Sequence, residues 1–176
     1  MQLFLTFLLL MFSYMFLSSS FEKMVNFKQH VTTVQAYQVV PVHRAHIFAL
    51  IDISIELVVG LSFLVFIALP YSLILGTMLL MVYSGVIVLN LLKGRLDLDC
   101  GCGGIVGETK ISYKLVIRNL SFGAVLIVLF YNQTSLLKVF SFEYMMINLF
   151  IIQMVITRIS WLYVKKTGSH YKQIGG

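Results

Sequence analysis

Five stretches of the chain, at about 2–21, 47–69, 71–92, 115–132 and 142–164, are poor in charge and close to twenty residues long. An α-helix of roughly 20 residues just crosses the hydrocarbon core of a bilayer, where every backbone N–H and C=O must find its partner within the protein. A chain built mainly of such stretches therefore folds as spanning helices. The alternating ten-residue segments that a membrane barrel requires are not present. Composition agrees: 59% of residues are hydrophobic and 11% charged, against about a quarter charged in a soluble domain. The expected fold is all-α, a polytopic transmembrane helical bundle of about five spans. The whole of 1–176 reads as a single integral membrane domain, multi-pass in the cell membrane.

The first stretch, from Leu3 to Leu17, has the length of a signal peptide, but no Lys or Arg precedes it and Ser18-Ser19-Ser20 makes a poor cleavage site, so it is read as a span. Pro70 separates the second and third stretches by so short a loop that they form an antiparallel hairpin. With five spans, the loops at 22–46 and 93–114 and the tail from 165 share one face. That face collects Lys23, Lys28, Arg44, Lys93, Arg95, Lys110, Lys114, Lys165, Lys166 and Lys172, while the other holds Lys138. The positive-inside rule then turns the charged face toward the cytoplasm. The net charge of +6 suits anionic lipid headgroups, so membrane lipids are expected partners and nucleic acid is not.

Cys100 and Cys102 are the only two cysteines, and they sit within Asp97-Leu98-Asp99-Cys100-Gly101-Cys102-Gly103-Gly104. A Cys-x-Cys disulfide closes a small ring and needs a sharp backbone bend, which Gly101, Gly103 and Gly104 permit. Strained, exposed disulfides exchange readily, so the pair is a candidate for thiol–disulfide relay chemistry, a catalytic role for both residues. The alternatives are an inert glycine-rich turn and a metal site completed by two of His30, His43 and His46. The one-residue gap is narrower than the usual spacing of zinc-ligand cysteines, so no metal is expected.

Asp52 and Glu56 fall in the second span at an i, i+4 spacing and share one helix face. Ionisable groups in a span face a partner or a watery cavity. Arg118, near the start of the fourth span, is the expected partner, either as an ion pair that locks the helices or as part of a proton path. Between the first two spans, Val31, Val34, Tyr37 and Val40 recur every three residues, which predicts a short helix at the membrane interface before Pro41. Tyr37, Asp52, Glu56 and Arg118 are thus the supporting candidates, with a membrane quinone as candidate cofactor at a site lined by Glu56 and Arg118. Trp161 and Tyr163, followed by Lys165-Lys166, read as the end of the last span.

Taken in order, several elements resemble the MauE family of methylamine-utilisation membrane proteins, relatives of the DoxX-type four-helix membrane proteins. They are Phe21-Glu22-Lys23, Tyr37-Gln38-Val39-Val40-Pro41, Glu56 with Gly60, Cys100-Gly101-Cys102-x-Gly104, and Arg118-Asn119. Gly103 stands where the family commonly has an aromatic residue. The resemblance implies a four-helix DoxX-like core plus one extra helix. It also implies a redox-associated role, assisting disulfide formation or maturation of an exported protein beside a thioredoxin-like partner. That role is easiest with the thiols outside, opposite to the charge-based orientation. A scaffold subunit that uses the glycine-rich loop for docking is the alternative function. A transporter is disfavoured, because paired broken helices and an internal repeat are missing.

Overall fold

The structure is a computed structural model that describes residues 2–98, 110–133 and 142–174, with side chains over 3–98, 110–133 and 148–164. Its helices are α1 (Gln2–Val25), α2 (Phe27–Ala36), α3 (Ala45–Val65), α4 (Leu69–Leu92), α5 (Tyr113–Tyr131) and α6 (Phe142–Ile174), with a 3₁₀ turn at Val42–Arg44 before α3. Four helical stretches are long and apolar enough to cross a membrane: Leu3–Val25, Val42–Val65, Leu69–Leu92 and Tyr113–Tyr131. The apolar part of α6, Asn148–Val164, is shorter than these four. The chain is a multi-pass helical membrane protein.

The spans alternate in direction, so α1 and α3 run antiparallel, as do α3 and α4, and α4 and α5. Leu9, Phe12 and Phe16 of α1, Val59 and Phe63 of α3, Leu73 and Leu80 of α4, and Leu126 and Leu129 of α5 form one buried core. Phe12 meets Phe122 of α5 edge-on at 5.6 Å between ring centroids, which closes the four helices around that core. α6 lies outside it, with Ile151 and Val155 against Leu10, Tyr14 and Leu17 of α1. Four helices around one core with a shorter apolar helix on the flank is the expected four-helix core plus one extra helix.

Three boundaries differ from expectation. α1 continues through Ser18-Ser19-Ser20 to Val25, because Ser20 returns its hydroxyl to the Leu17 carbonyl and the helix carries on to bring Lys23 inside. Pro70 lies in the first turn of α4, where its missing N–H costs no helical bond. The hairpin turns through Phe66 and Ala68, both with positive φ, at 57° and 51°. α6 runs on beyond Lys165-Lys166 to Ile174.

α1 and α3 meet at Gly60, whose carbonyl accepts a 2.8 Å hydrogen bond from the buried Ser13 hydroxyl. A Cβ on Gly60 would fall 2.9 Å from Leu17 Cγ and 3.1 Å from the Leu17 backbone N. The backbone atom cannot step aside without separating the helices. Gly60→Ala should therefore cost about 1–3 kcal/mol by overpacking, read as a lower melting temperature of the detergent-solubilised protein; an unchanged melt would show that the two helices are not held this close.

Candidate functional site

The end of the bundle that carries residues 93–98 and 110–112 holds a buried ionic cluster. α1 brings Lys23, two residues from its end, into the interior at 5% exposure, and α3 brings Glu56 there at 2%. The Lys23 ammonium donates to Asp52 Oδ2 at 2.8 Å, to Glu56 Oε1 at 2.9 Å and to the Tyr83 hydroxyl of α4 at 3.0 Å. An ammonium has three protons, so this set uses all of them. The Tyr83 oxygen lies 2.5 Å from Asp52 Oδ1 and 2.8 Å from Glu56 Oε1, and its single proton has either carboxylate as acceptor. Ser19 donates to Glu56 Oε1 at 3.2 Å. Glu56 Oε2 has no hydrogen-bond partner among the described residues. Moving charges into a low-dielectric interior costs several kcal/mol per ion, and the full use of the Lys23 protons offsets part of it.

α2 folds back over α3 and adds His30, buried at 8% exposure, with Nε2 3.0 Å from Asp52 Oδ2. Nδ1 of His30 has no partner among the described residues. Beside the cluster lies a half-open cavity of about 220 Å³. Lys23, His30, Thr33, Asp52 and Tyr83 contribute polar groups to it, and Val34, Val40, Val86 and Ile87 an apolar wall. Tyr37 lines it too and, like Leu98, packs against the buried cluster of Ile87, Leu91, Ile111, Leu115 and Val116.

These contacts also fasten the base of the cysteine-bearing segment. Ile111 N donates to Leu98 O at 2.9 Å, and Lys110 pairs with Asp97 at 2.6 Å. That hydrogen bond and the Lys110 charge hold the Asp97 carboxyl below its usual range. The pair is exposed, so it adds little stability. Arg95 donates to Gln38, bracing the start of the segment to the chain after α2. Cys100 and Cys102 themselves lie outside the described residues.

The sequence-derived candidates thus divide. Asp52, Glu56 and Tyr37 come together around one cluster and its cavity. Arg118 does not join them: its guanidinium is 3.4 Å from neighbouring Asn119 Oδ1 on α5, and the cation between the carboxylates is Lys23. α5 packs along α4, whose Tyr83 takes the remaining Lys23 proton, so the expected Arg118 pairing is replaced. Nor do the three histidines gather. His30 faces Asp52, His43 is exposed, and His46 is exposed and stacks edge-on against Phe27 at 4.9 Å. Lys23, Tyr83 and His30 are the participants that sequence reasoning placed elsewhere or passed over. The unmatched pair Asp52/Glu56 was the available signal, since it demanded a cation, and Ser19 and Lys23 share one helix face on the preceding span.

A family model described as "Methylamine utilisation protein MauE" matches residues 1–132. The chain belongs to the MauE family. The matched region contains the four-helix core, the ionic cluster, the cavity and the Cys-Gly-Cys element, and leaves α6 outside. A curated relative, "Methylamine utilization protein MauE" of Paracoccus denitrificans, is 27% identical over 107 residues, which is 60% of this chain and 57% of the relative. The chain thus matches little more than half the length of that relative. No solved structure matches the chain. Within this MauE-family chain, Lys23, Tyr37, Gln38 and Glu56, drawn from three separate sequence elements, converge at one end of the bundle.

Proposed function

We propose that this MauE-family protein is a membrane-embedded thiol–disulfide relay that assists the maturation of an exported protein, with Cys100 and Cys102 as the cycling pair. One thiolate of a reduced partner, a thioredoxin-like protein or the client itself, attacks the Cys100–Cys102 disulfide and forms a mixed disulfide; the partner's second thiolate then resolves it. The partner gains a disulfide and loses two electrons and two protons, and the Cys pair is left as a dithiol. The observation that carries this reading is the joining of the chain's only two cysteines to a segment whose base is fastened at Leu98–Ile111 and Asp97–Lys110. Leu98, two residues before Cys100, packs in the same cluster as Tyr37 and Ile87 of the cavity wall. The client is exported, so the thiols act on the outer face in this reading.

A membrane-impermeant maleimide applied to intact cells, before and after mild reduction, tests it. Labelling of Cys100 and Cys102 only after reduction is expected. Free thiols that label only after permeabilisation would overturn the outward-facing relay and restore the orientation given by the Lys and Arg count.

A further inference from the structure

We propose that the cavity beside the ionic cluster is the head-group site of a membrane-soluble quinone. Four observations point to this occupant. First, about 220 Å³ is less than the roughly 300–1,000 Å³ of a pocket that swallows a whole drug-sized ligand. It is room for a ring, with any long tail left outside.

Second, the way in lies along the bilayer. Phe48 and Val82 line the cavity, yet both are exposed on the outer surfaces of the spanning helices α3 and α4. The cavity thus reaches the surface of two apolar spanning helices, where a ligand dissolved in lipid has access to it.

Third, the polar side of the cavity is built for a neutral head. One ammonium, Lys23, stands against two carboxylates, Asp52 and Glu56. All three Lys23 protons are committed to Asp52, Glu56 and Tyr83, so an anionic phosphate would find no ammonium proton free and two carboxylates close by. A quinone carries no charge and presents only carbonyl oxygens at its ring.

Fourth, His30 lines the cavity with an unpartnered Nδ1 while its Nε2 faces Asp52. A ring nitrogen of imidazole donates when it carries a proton and accepts when it does not, so Nδ1 is the atom placed to meet a quinone carbonyl or a quinol hydroxyl. Apolar walls at Val34, Val86 and Ile87 sandwich the ring.

As an oxidant, which rests on the relay reading above, the quinone takes two electrons and two protons and leaves as the quinol. The two thiols lose the same two hydrogens as their S–S bond closes. Binding itself does not depend on the cysteines.

The test uses the full chain carrying Cys100→Ser and Cys102→Ser, in phosphatidylcholine nanodiscs, titrated with decylubiquinone by calorimetry. Saturable binding of one quinone per chain is expected. Val82→Trp, at an exposed position where a larger ring does not disturb the core, should weaken binding at least about tenfold, and so should His30→Leu. Val58→Trp, on the lipid-facing surface of α3 and outside the cavity lining, should leave it unchanged. No saturable binding, binding insensitive to Val82→Trp, or displacement of decylubiquinone by added phosphatidylglycerol would each overturn the site. The reduced wild-type chain, mixed with the same quinone, separates the two proposals. Quinone that binds without oxidising the thiols defeats the relay and leaves the site standing. Thiol oxidation unaffected by Val82→Trp and His30→Leu defeats the site and leaves the relay standing.

Discussion

Lys23→Met will lower the melting temperature of the detergent-solubilised protein by about 6–20 °C. Methionine fills the space but supplies no charge, so Asp52 and Glu56 keep their positions facing Tyr83 with no cation between them. Removing one member of a buried ion pair costs about 3–5 kcal/mol. In a chain of this size each kcal/mol shifts the transition by roughly 2–4 °C. Total stabilities of about 5–15 kcal/mol leave little margin for such a loss, so the variant should also accumulate poorly in the membrane. The mechanism has a second signature. Adding Asp52→Asn and Glu56→Gln to Lys23→Met should restore most of the loss, because replacing a whole buried ionic set by neutral groups is often close to neutral in energy. A melt unchanged in the single variant, or a triple variant no better than the single, would mean that the cluster does not carry this energy.

Either Cys100→Ser or Cys102→Ser will abolish maturation of the disulfide-bearing client while the amount of protein in the membrane stays normal. A pair is required because the client's thiolate attacks a Cys100–Cys102 disulfide, and a single cysteine cannot form one. The exchange is reversible, so a lone thiolate still attacks a partner supplied in its disulfide form and releases that partner's other sulfur as a thiolate. Mixed with the oxidised partner, the variant that retains the attacking thiol should therefore trap it as an adduct running at the sum of the two masses on a non-reducing gel, and the other variant should not. The double variant should trap nothing. Client oxidation that proceeds normally in the double variant would sink the relay and leave a scaffold role, in which the segment serves for docking alone.

The spans were legible because the length of an apolar run is a one-dimensional property, and bilayer thickness converts it directly into a helix. Helix ends were less so. Ser18-Ser19-Ser20 and Lys23 read as the exit from a span by polarity alone, yet α1 continues to Val25 because the polar face they form meets Glu56 and Asp52. Counting Lys23 among the loop charges followed from the same error. The cluster was half legible: the i, i+4 spacing of Asp52 and Glu56 announced that a cation was needed, but which one depends on how the helices rotate against each other. Arg118 sits beside the buried stripe of Leu115, Asn119, Gly123 and Leu126 on α5, turned toward its neighbour and away from α3. Tyr83 carried no signal beyond being one of two phenols, with Tyr71, in an apolar span. The cavity is a property of how α2 folds back, which the spacing of Val31, Val34, Tyr37 and Val40 hinted at through a helix, though that helix begins earlier and ends at Ala36.

The link from Lys23 to Asp52 and Glu56 also bears on how the chain enters the bilayer during synthesis. A lone Lys or Asp carried to the middle of a helix costs about 2.5–3.5 kcal/mol at the insertion machinery. The three charges belong to two long helices, α1 and α3, joined through the short α2 and the turn before α3. Each helix alone carries charge without a partner, and side by side the Lys23 ammonium hydrogen-bonds both carboxylates and offsets the charge of one of them. Association of α1 with α3 therefore lowers the cost of holding either helix in lipid, which favours the two entering as a pair against which α4 and α5 pack.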